Sequence, residues 1–272
     1  MISSIKANIK GWNLLLGVNI DHIAVLREAR KINDPNPLDA VPICKLSGAN
    51  QITIHLREDR RHIHDNDAKV IIEQSALPVN LECAIDEEII DIVCKLKPAR
   101  ATLVPEKREE VTTEGGLDLK GSYKKLQKAI EKLHENEIEV SLFIDPNKEM
   151  IELSAKLGVK WIELHTGSFA NIYAMLNSNL RNTHHSIKEL ELSKDKLKTK
   201  LTKSIKEIKK ASKIAVKENL KVAAGHGLNY QNVTLISSIK EIEELNIGQS
   251  IVARSVFTGL KDAIIEMKEL IK

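Results

Sequence analysis

Short apolar runs recur along this chain, separated by longer segments of helical spacing. The runs are LLLGVNI (14–20), QITIHL (51–56), PVNLECA (78–84), RATLVP (100–105), EVSLFID (139–145), WIELHTG (161–167), KVAAGHG (221–227) and EELNIG (243–248). Between them, DEEIIDIVCKLK (86–97), SYKKLQKAIEKLHEN (122–136) and NKEMIELSAKLG (147–158) place apolar side chains three or four positions apart, as an amphipathic helix does. A last helix is predicted from roughly Ser255 to Ile271.

The runs are nearly continuous rather than alternating. That pattern belongs to parallel strands covered on both faces. Eight β/α units in one chain predict a (β/α)8 TIM barrel of the α/β class, one domain over 1–272. An open, doubly wound sheet is the alternative, but the GxGxxG turn that often follows its first strand is absent. A long helical insert, about 168–219, separates strands six and seven. Within it Ile187, Leu190, Leu197, Leu201, Ile205, Ile208 and Ile214 recur at helical spacing among many Lys and Glu. The spacing predicts one or two amphipathic helices with a solvated charged face. A subunit contact is the other reading of the same segment.

Composition narrows the class. The 272 residues are 29% charged and 42% hydrophobic, as in a globular protein, and only 3% aromatic, so Ile, Leu and Val fill the core. With 41 basic and 38 acidic residues the net charge is +3, which gives no support for nucleic-acid binding. Cys44, Cys83 and Cys94 form no C-x-x-C pair and read as buried thiols in a reducing compartment. No apolar stretch reaches the length of a membrane span and no signal-peptide core is present, so a cytoplasmic location is expected.

Barrel active sites form at the carboxyl ends of the strands. In this chain those ends carry Asn19, Asp21 and His22; His55 and Arg57; Asn80 and Glu82; Asp145; Glu163 and His165; His226 between two glycines; and Asn246 with Gly248. Such groups in a barrel mouth cost desolvation unless paired or used. Their presence on seven of eight strands predicts an enzyme. Residues two apart, such as His55 and Arg57 or Glu163 and His165, are expected to share a face. Two anion-binding regions are expected. One uses Arg27, Arg30, Arg57, Arg60 and Arg61; the other uses the glycine turns AGHGLNY (224–230) and NIGQS (246–250), whose backbone N–H groups suit phosphate. Lys107, Arg108, Thr112 and the Gly115–Gly116 pair add a further candidate loop after strand four. Two such regions fit two phosphorylated substrates. The HIH sequence at 62–64 resembles a metal pair, but Arg61 beside it opposes a cation, and no compact ligand set is evident.

The segments LGVNIDHIAVLREAR, ITIHLREDRRHI, LVPEKREEVTTEGGLD, VSLFID, IELHTG, AGHGLNY and ELNIGQSIVARSVFTGLKDAI together resemble the pyridoxine 5′-phosphate synthase family, from about Leu14 to the C-terminus except at the long insert. The resemblance implies a metal-free, cofactor-free transferase that condenses 3-amino-2-oxopropyl phosphate with 1-deoxy-D-xylulose 5-phosphate. It also implies a homo-octamer. By position, His55 and Glu82 match the family's general bases, His226 its proton donor, and Glu163 the carboxylate facing a cationic transition state. Asn19, Arg30, Gly227, Gly248 and Gln249 match contacts to the amino ketone phosphate. Asp21, His22, Arg57, His62 and Thr112 match contacts to the deoxyxylulose phosphate.

The residue types suit that chemistry. Imine formation, phosphate elimination and ring closure all move protons, and His can give or take one near neutral pH. Two departures stand out. Gln249 occupies a position where the family is expected to carry His; it can donate a hydrogen bond but carries no charge. The insert is longer and richer in Lys than the family leads one to expect. The competing expectation is a metal-dependent barrel lyase or hydrolase acting on a phosphorylated small molecule.

Overall fold

A computed structural model of the chain describes residues 14–106 and 115–272. Eight parallel strands close into a barrel in chain order, β1 pairing with both β2 and β8. They are β1 Leu15–Asn19, β2 Gln51–His55, β3 Val79–Cys83, β4 Arg100–Leu103, β5 Glu139–Ile144, β6 Trp161–His165, β7 Lys221–Gly225 and β8 Glu244–Ile247. Every one lies inside an apolar run of the sequence. The open-sheet alternative is thereby removed.

The surrounding helices are α1 Asp21–Arg30, α2 Pro37–Leu46, α3 Asp65–Gln74, α4 Glu87–Leu96, α5 Tyr123–Glu135, α6 Lys148–Lys156, α7 Gly167–Asn177, α8 Lys194–Lys217, α9 Val233–Ser237, α10 Gln249–Thr258 and α11 Leu260–Leu270. Local chemistry starts several of them. Asn36, Asp86, Asn147 and Ser193 accept backbone N–H groups at the first turns of α2, α4, α6 and α8. None of the described helices is long and apolar enough to cross a membrane.

The barrel has two unlike linings. Leu16, Val18, Ile52, Ile54, Leu81, Ala101 and Leu103 are fully buried in the apolar core. The residues between them turn to the barrel interior, and that interior is polar. Gln51 on β2 donates to Glu244 on β8 at 3.1 Å, across β1. Gly17 leaves room for this polar layer: a Cβ there would fall 2.1 Å from Asn246 Oδ1 and 3.2 Å from Gln51 Nε2. Arg100 donates to Glu244 at 2.8 Å and lies 3.9 Å above the Trp161 ring. Barrels usually fill this space with branched apolar side chains.

One expectation about the helices needs correction. The last helix is two: Gly259, at φ 79° and ψ 153°, breaks the chain between α10 and α11, and α10 already starts at Gln249. The insert is α7, two short 3₁₀ turns (Leu180–Asn182 and Lys188–Leu190) and the 24-residue α8. Ile208, Ala211 and Ala215 seat α8 on the main core, while Leu197 joins Ile172 and Met175 in a small second cluster edged by Ile187 and Leu190. α8 thus reaches from the main core to a small apolar cluster of its own.

Candidate active site

The strand ends converge on a cavity of about 300 Å³. Asn19, His22, Glu82, Glu163, His226, Gly227, Gly248 and Gln249 line it, together with Val104, Phe143, Leu228, Asn229, Asn246 and Ile247. Most of the sequence-nominated residues therefore share one space. Asp21 and His55 stand beside it. One Asp21 oxygen accepts the His55 backbone N–H at 2.9 Å; the other accepts the Asn19 amide at 2.9 Å. His55 Nδ1 lies 3.8 Å from Glu82, and its Nε2 lies 2.7 Å from Glu106. The His62 ring is centred 6.3 Å from that of His55. Arg57 is buried at the same end, with Nε 3.5 Å from Asp59.

On the opposite wall Glu163 accepts a hydrogen bond from Asn246 Nδ2 at 2.7 Å. His226 follows the end of β7 at φ 75°, an uncommon conformation for a residue with a side chain. The Thr166 hydroxyl bridges the carbonyls of Gly225 and His226, 2.7 Å from each, and Asn232 donates to the Gly227 carbonyl at 3.0 Å. These bonds fix the turn that aims the ring. His165, paired with Asp145 at 3.0 Å, stacks edge-on to His226 with ring centres 5.1 Å apart.

The electrostatics follow from enclosure. Burial, reinforced by Glu163, Asp21 and Glu106, pushes the Glu82 carboxyl well above its usual range. Burial pushes Glu163 up to about 7, with Glu244 adding and Asn246 and Arg100 opposing. Burial lowers His226 to about 4, and His165 contributes to this. His22 and His62 are also lowered, mainly by burial. Glu106 is the contrast: burial disfavours its charge, but hydrogen bonds from His55 and the Glu58 N–H outweigh it and hold the carboxyl below the usual range.

Two glycine-bearing turns meet at the β7 and β8 ends. Ser250 donates to the Leu228 carbonyl at 2.9 Å and ties the two turns together. Gly248 precedes α10 and packs against Asn19, where a Cβ would fall 2.8 Å from the Asn19 Cβ. The first turn of α10 carries no acidic residue, so its N–H groups present uncompensated positive potential. Gln249 opens that helix and is exposed at the cavity rim.

The second expected anion region is reduced. Arg27 makes two hydrogen bonds to Asp67, at 2.8 and 2.7 Å, and one to the His62 carbonyl at 2.8 Å. Arg60 bonds Asp65 and two carbonyls, and Arg61 bonds Asp59. These three brace the loop after β2 rather than lining the cavity. Arg30 stands exposed in the last turn of α1, outside the cavity lining. Thr112, Lys107 and Arg108 lie outside the described residues. His64 caps α3 in a reciprocal arrangement with Asp67, which gives the second histidine of HIH a structural use.

Sequence reasoning missed Glu106. The segment after β4 drew attention for its cations and glycines, and nothing local marks this carboxylate as a partner of His55. Phe143, which packs against His165 with ring centres 5.1 Å apart, was likewise indistinguishable from core. A possible metal set does exist among the described residues: Asp21, His55 and Glu82 each offer an atom within 4.8 Å of the others. The Asp21 oxygens accept the His55 and Asn19 N–H groups, and His55 Nδ1 is the ring atom that faces Glu82, at 3.8 Å.

The family model for the pyridoxal phosphate biosynthesis protein PdxJ matches residues 16–272. The chain belongs to the PdxJ family. This PdxJ chain is 82% identical over 259 residues to the pyridoxine 5′-phosphate synthase of Aliarcobacter butzleri (strain RM4018), covering 95% of this chain and 99% of that protein. It is 65% identical to the pyridoxine 5′-phosphate synthase of Sulfurovum sp. (strain NBC37-1), covering 95% and 100%. Among solved structures, it resembles the phosphoribosyl anthranilate isomerase of Thermococcus kodakaraensis, with a TM-score of 0.57 at 12% identity, covering 96% and 99%. That likeness carries the barrel fold alone.

Proposed function

We propose that this PdxJ chain is a pyridoxine 5′-phosphate synthase. It condenses 3-amino-2-oxopropyl phosphate with 1-deoxy-D-xylulose 5-phosphate and releases pyridoxine 5′-phosphate, phosphate and water. The observation that carries the reading is the 82% identity to a synthase over nearly the whole chain. The enclosed pairing of raised carboxyls with lowered imidazoles in one mouth supports it.

Each residue has a proposed task. Glu82 and His55 take protons from the condensing substrates; an enclosed carboxyl with a raised pKa is basic enough to do so near neutrality. Glu163, poised at about 7, ionises fully when a cationic iminium arrives beside it and stabilises that charge. Burial and His165 hold His226 at about 4, so its ring is neutral near pH 7. An incoming phosphate dianion favours its protonated form, so substrate binding itself loads the proton donor. The turns at Gly227 and Gly248, with Asn19 and Gln249, hold the amino ketone phosphate. Asp21, His22, Arg57 and His62 orient the deoxyxylulose phosphate.

Assembly into a homo-oligomer and a cytoplasmic location belong to the same proposal. Val25, Leu26 and Ile32 in and beyond α1, Ile43 and Leu46 on α2, and Val256 and Phe257 on α10 are exposed, and the three helices are neighbours around the barrel. An apolar sector of this kind suits a subunit contact. A second reading, metal-dependent chemistry, draws on the Asp21, His55 and Glu82 cluster.

One assay separates them. The chain is mixed with both phosphorylated substrates in the presence of EDTA, and the ring product and released phosphate are followed together. Matched appearance of both supports the synthase. Activity lost to EDTA and restored by a divalent cation supports the metal reading. Phosphate without ring product overturns the condensation.

A further inference from the structure

The mouth holds a carboxylate that none of the assigned roles uses. Glu106 follows β4, and its side chain is 5% exposed. Its Oε1 lies 2.7 Å from His55 Nε2, while its Oε2 accepts the Glu58 N–H at 3.0 Å. The carboxylate is therefore clamped between the catalytic ring and the loop after β2. The His55 main chain is held as well, because Asp21 accepts its N–H at 2.9 Å. On the ring's far edge, Nδ1 faces Glu82 at 3.8 Å, beyond hydrogen-bond range.

We propose that Glu106 is a positioning residue for His55: it accepts the Nε2 proton, fixes the ring in the Nε2–H tautomer, and leaves the Nδ1 lone pair facing the reaction cavity as the base. The inference rests on the reading of His55 as a base of the synthase. An ionised carboxylate only accepts hydrogen bonds, so Nε2 must carry the proton in the contact. When Nδ1 takes a proton from substrate, the bonding pair stays with the substrate and the ring becomes an imidazolium. Nε2–H remains on Glu106, whose charge offsets the new cation, and return of the proton from Nδ1 restores the starting tautomer. The other charged or titratable groups around this ring are Asp21, Glu82, His62 and Arg57. Among the described residues, Glu82 stands at Nδ1 at 3.8 Å, Asp21 brings a carboxylate oxygen within 4.8 Å of a ring nitrogen, and the His62 ring is centred 6.3 Å away.

The test uses the full chain with 15N-labelled histidine, with the His55 signals assigned against His55→Gln. The wild type is expected to show the Nε2–H pattern. Glu106→Leu keeps the volume and removes the acceptor. Its His55 signals are expected to move to an exchanging mixture of tautomers, and kcat to fall on the order of 10²-fold with KM little changed. Glu106→Gln retains an acceptor oxygen without charge, so it is expected to keep the tautomer and recover only part of kcat. A packing role alone would move stability but not the nitrogen signals. An Nδ1–H pattern in the wild type, an unchanged pattern in Glu106→Leu, or wild-type kcat in either variant overturns the proposal. Should Glu106→Leu fail to fold, the wild-type spectrum and the Glu106→Gln rate still decide it. A wild type with the Nε2–H pattern but no synthase activity would instead overturn the functional reading and leave the Glu106 contact standing.

Discussion

Gly225, the last residue of β7, leaves the space that the Glu163 carboxylate occupies: a Cβ at position 225 would fall 2.2 Å from Glu163 Oε1. Asn246 holds the other oxygen at 2.7 Å, so a retreat of the carboxylate into the cavity would break that bond. Gly225→Ala is expected to push Glu163 out of register with the cavity. A displacement near 1 Å at a reacting centre lowers kcat on the order of 10²-fold. Overpacking should cost about 1–3 kcal/mol of stability. Steady-state kinetics and urea denaturation on the same preparation check both, and unchanged kcat would show that Glu163 does not need this placement.

The pH dependence of stability contains two opposed slopes. His226 is held at about 4 by burial and His165, against 6.5 when free. Between those values the unfolded chain binds a proton that the folded chain does not, so this residue makes stability rise with pH and lose ground as pH falls. Glu163 is raised by burial from 4.5 to about 7. In that window the folded chain keeps a proton the unfolded chain has lost, so its contribution declines as pH rises. Each slope is at most about 1.4 kcal/mol per pH unit, and between about pH 4.5 and 6.5 they oppose one another. His226→Gln should unmask the falling slope, losing roughly 3 kcal/mol relative to wild type across that interval. Glu163→Gln should unmask the rising one by a similar amount. Urea denaturation at both ends of the interval reads this directly; variant curves parallel to wild type would refute the assignment.

Arg27 links α1 to α3 through Asp67, and both side chains are largely buried. The bonds from Arg27 and from the His64 N–H outweigh burial and hold the Asp67 carboxyl below its usual range. Arg27→Met strands that charge, which should cost about 3 kcal/mol. Adding Asp67→Leu removes the stranded group and should recover part of the loss. The two variants are compared by urea denaturation. Equal stability of the single and double variants would mean that the pair is not an uncompensated-charge problem.

The barrel was legible because burial on both faces writes each strand as an apolar run, and all eight observed strands lie inside such runs. Most of the mouth was legible for the opposite reason: polar and charged groups at the ends of buried strands need a use. What sequence does not carry is who pairs with whom. Arg27 meets Asp67 forty positions away, His55 meets Glu106 across fifty-one, and Arg100 meets Glu244 across 144. The arginines read as anion ligands at positions 27, 60 and 61 turned out to be braces, because their carboxylate partners were present but unmarked. The polar barrel interior was hidden in the same way, since Gln51 and Glu244 sit at the edges of runs and meet only when β8 closes on β1.

The break before α11 gives a prediction free of such ambiguity. Apolar spacing continues across Gly259, so periodicity predicts one helix, yet the residue adopts φ 79° and ψ 153°, a region that only glycine occupies readily. No heavy atom lies within 4 Å of a Cβ built there, so a methyl group would meet backbone strain and nothing else. Gly259→Ala is therefore expected to cost about 1–3 kcal/mol. Activity should persist, since α10 presents its first turn to the cavity and Gly259 follows its last. Thermal unfolding and kcat measured side by side test this. Full stability in the variant would mean that the chain can turn from α10 into α11 by another backbone route, and that the glycine is not what separates the helix that opens at the cavity from the helix that closes against α2.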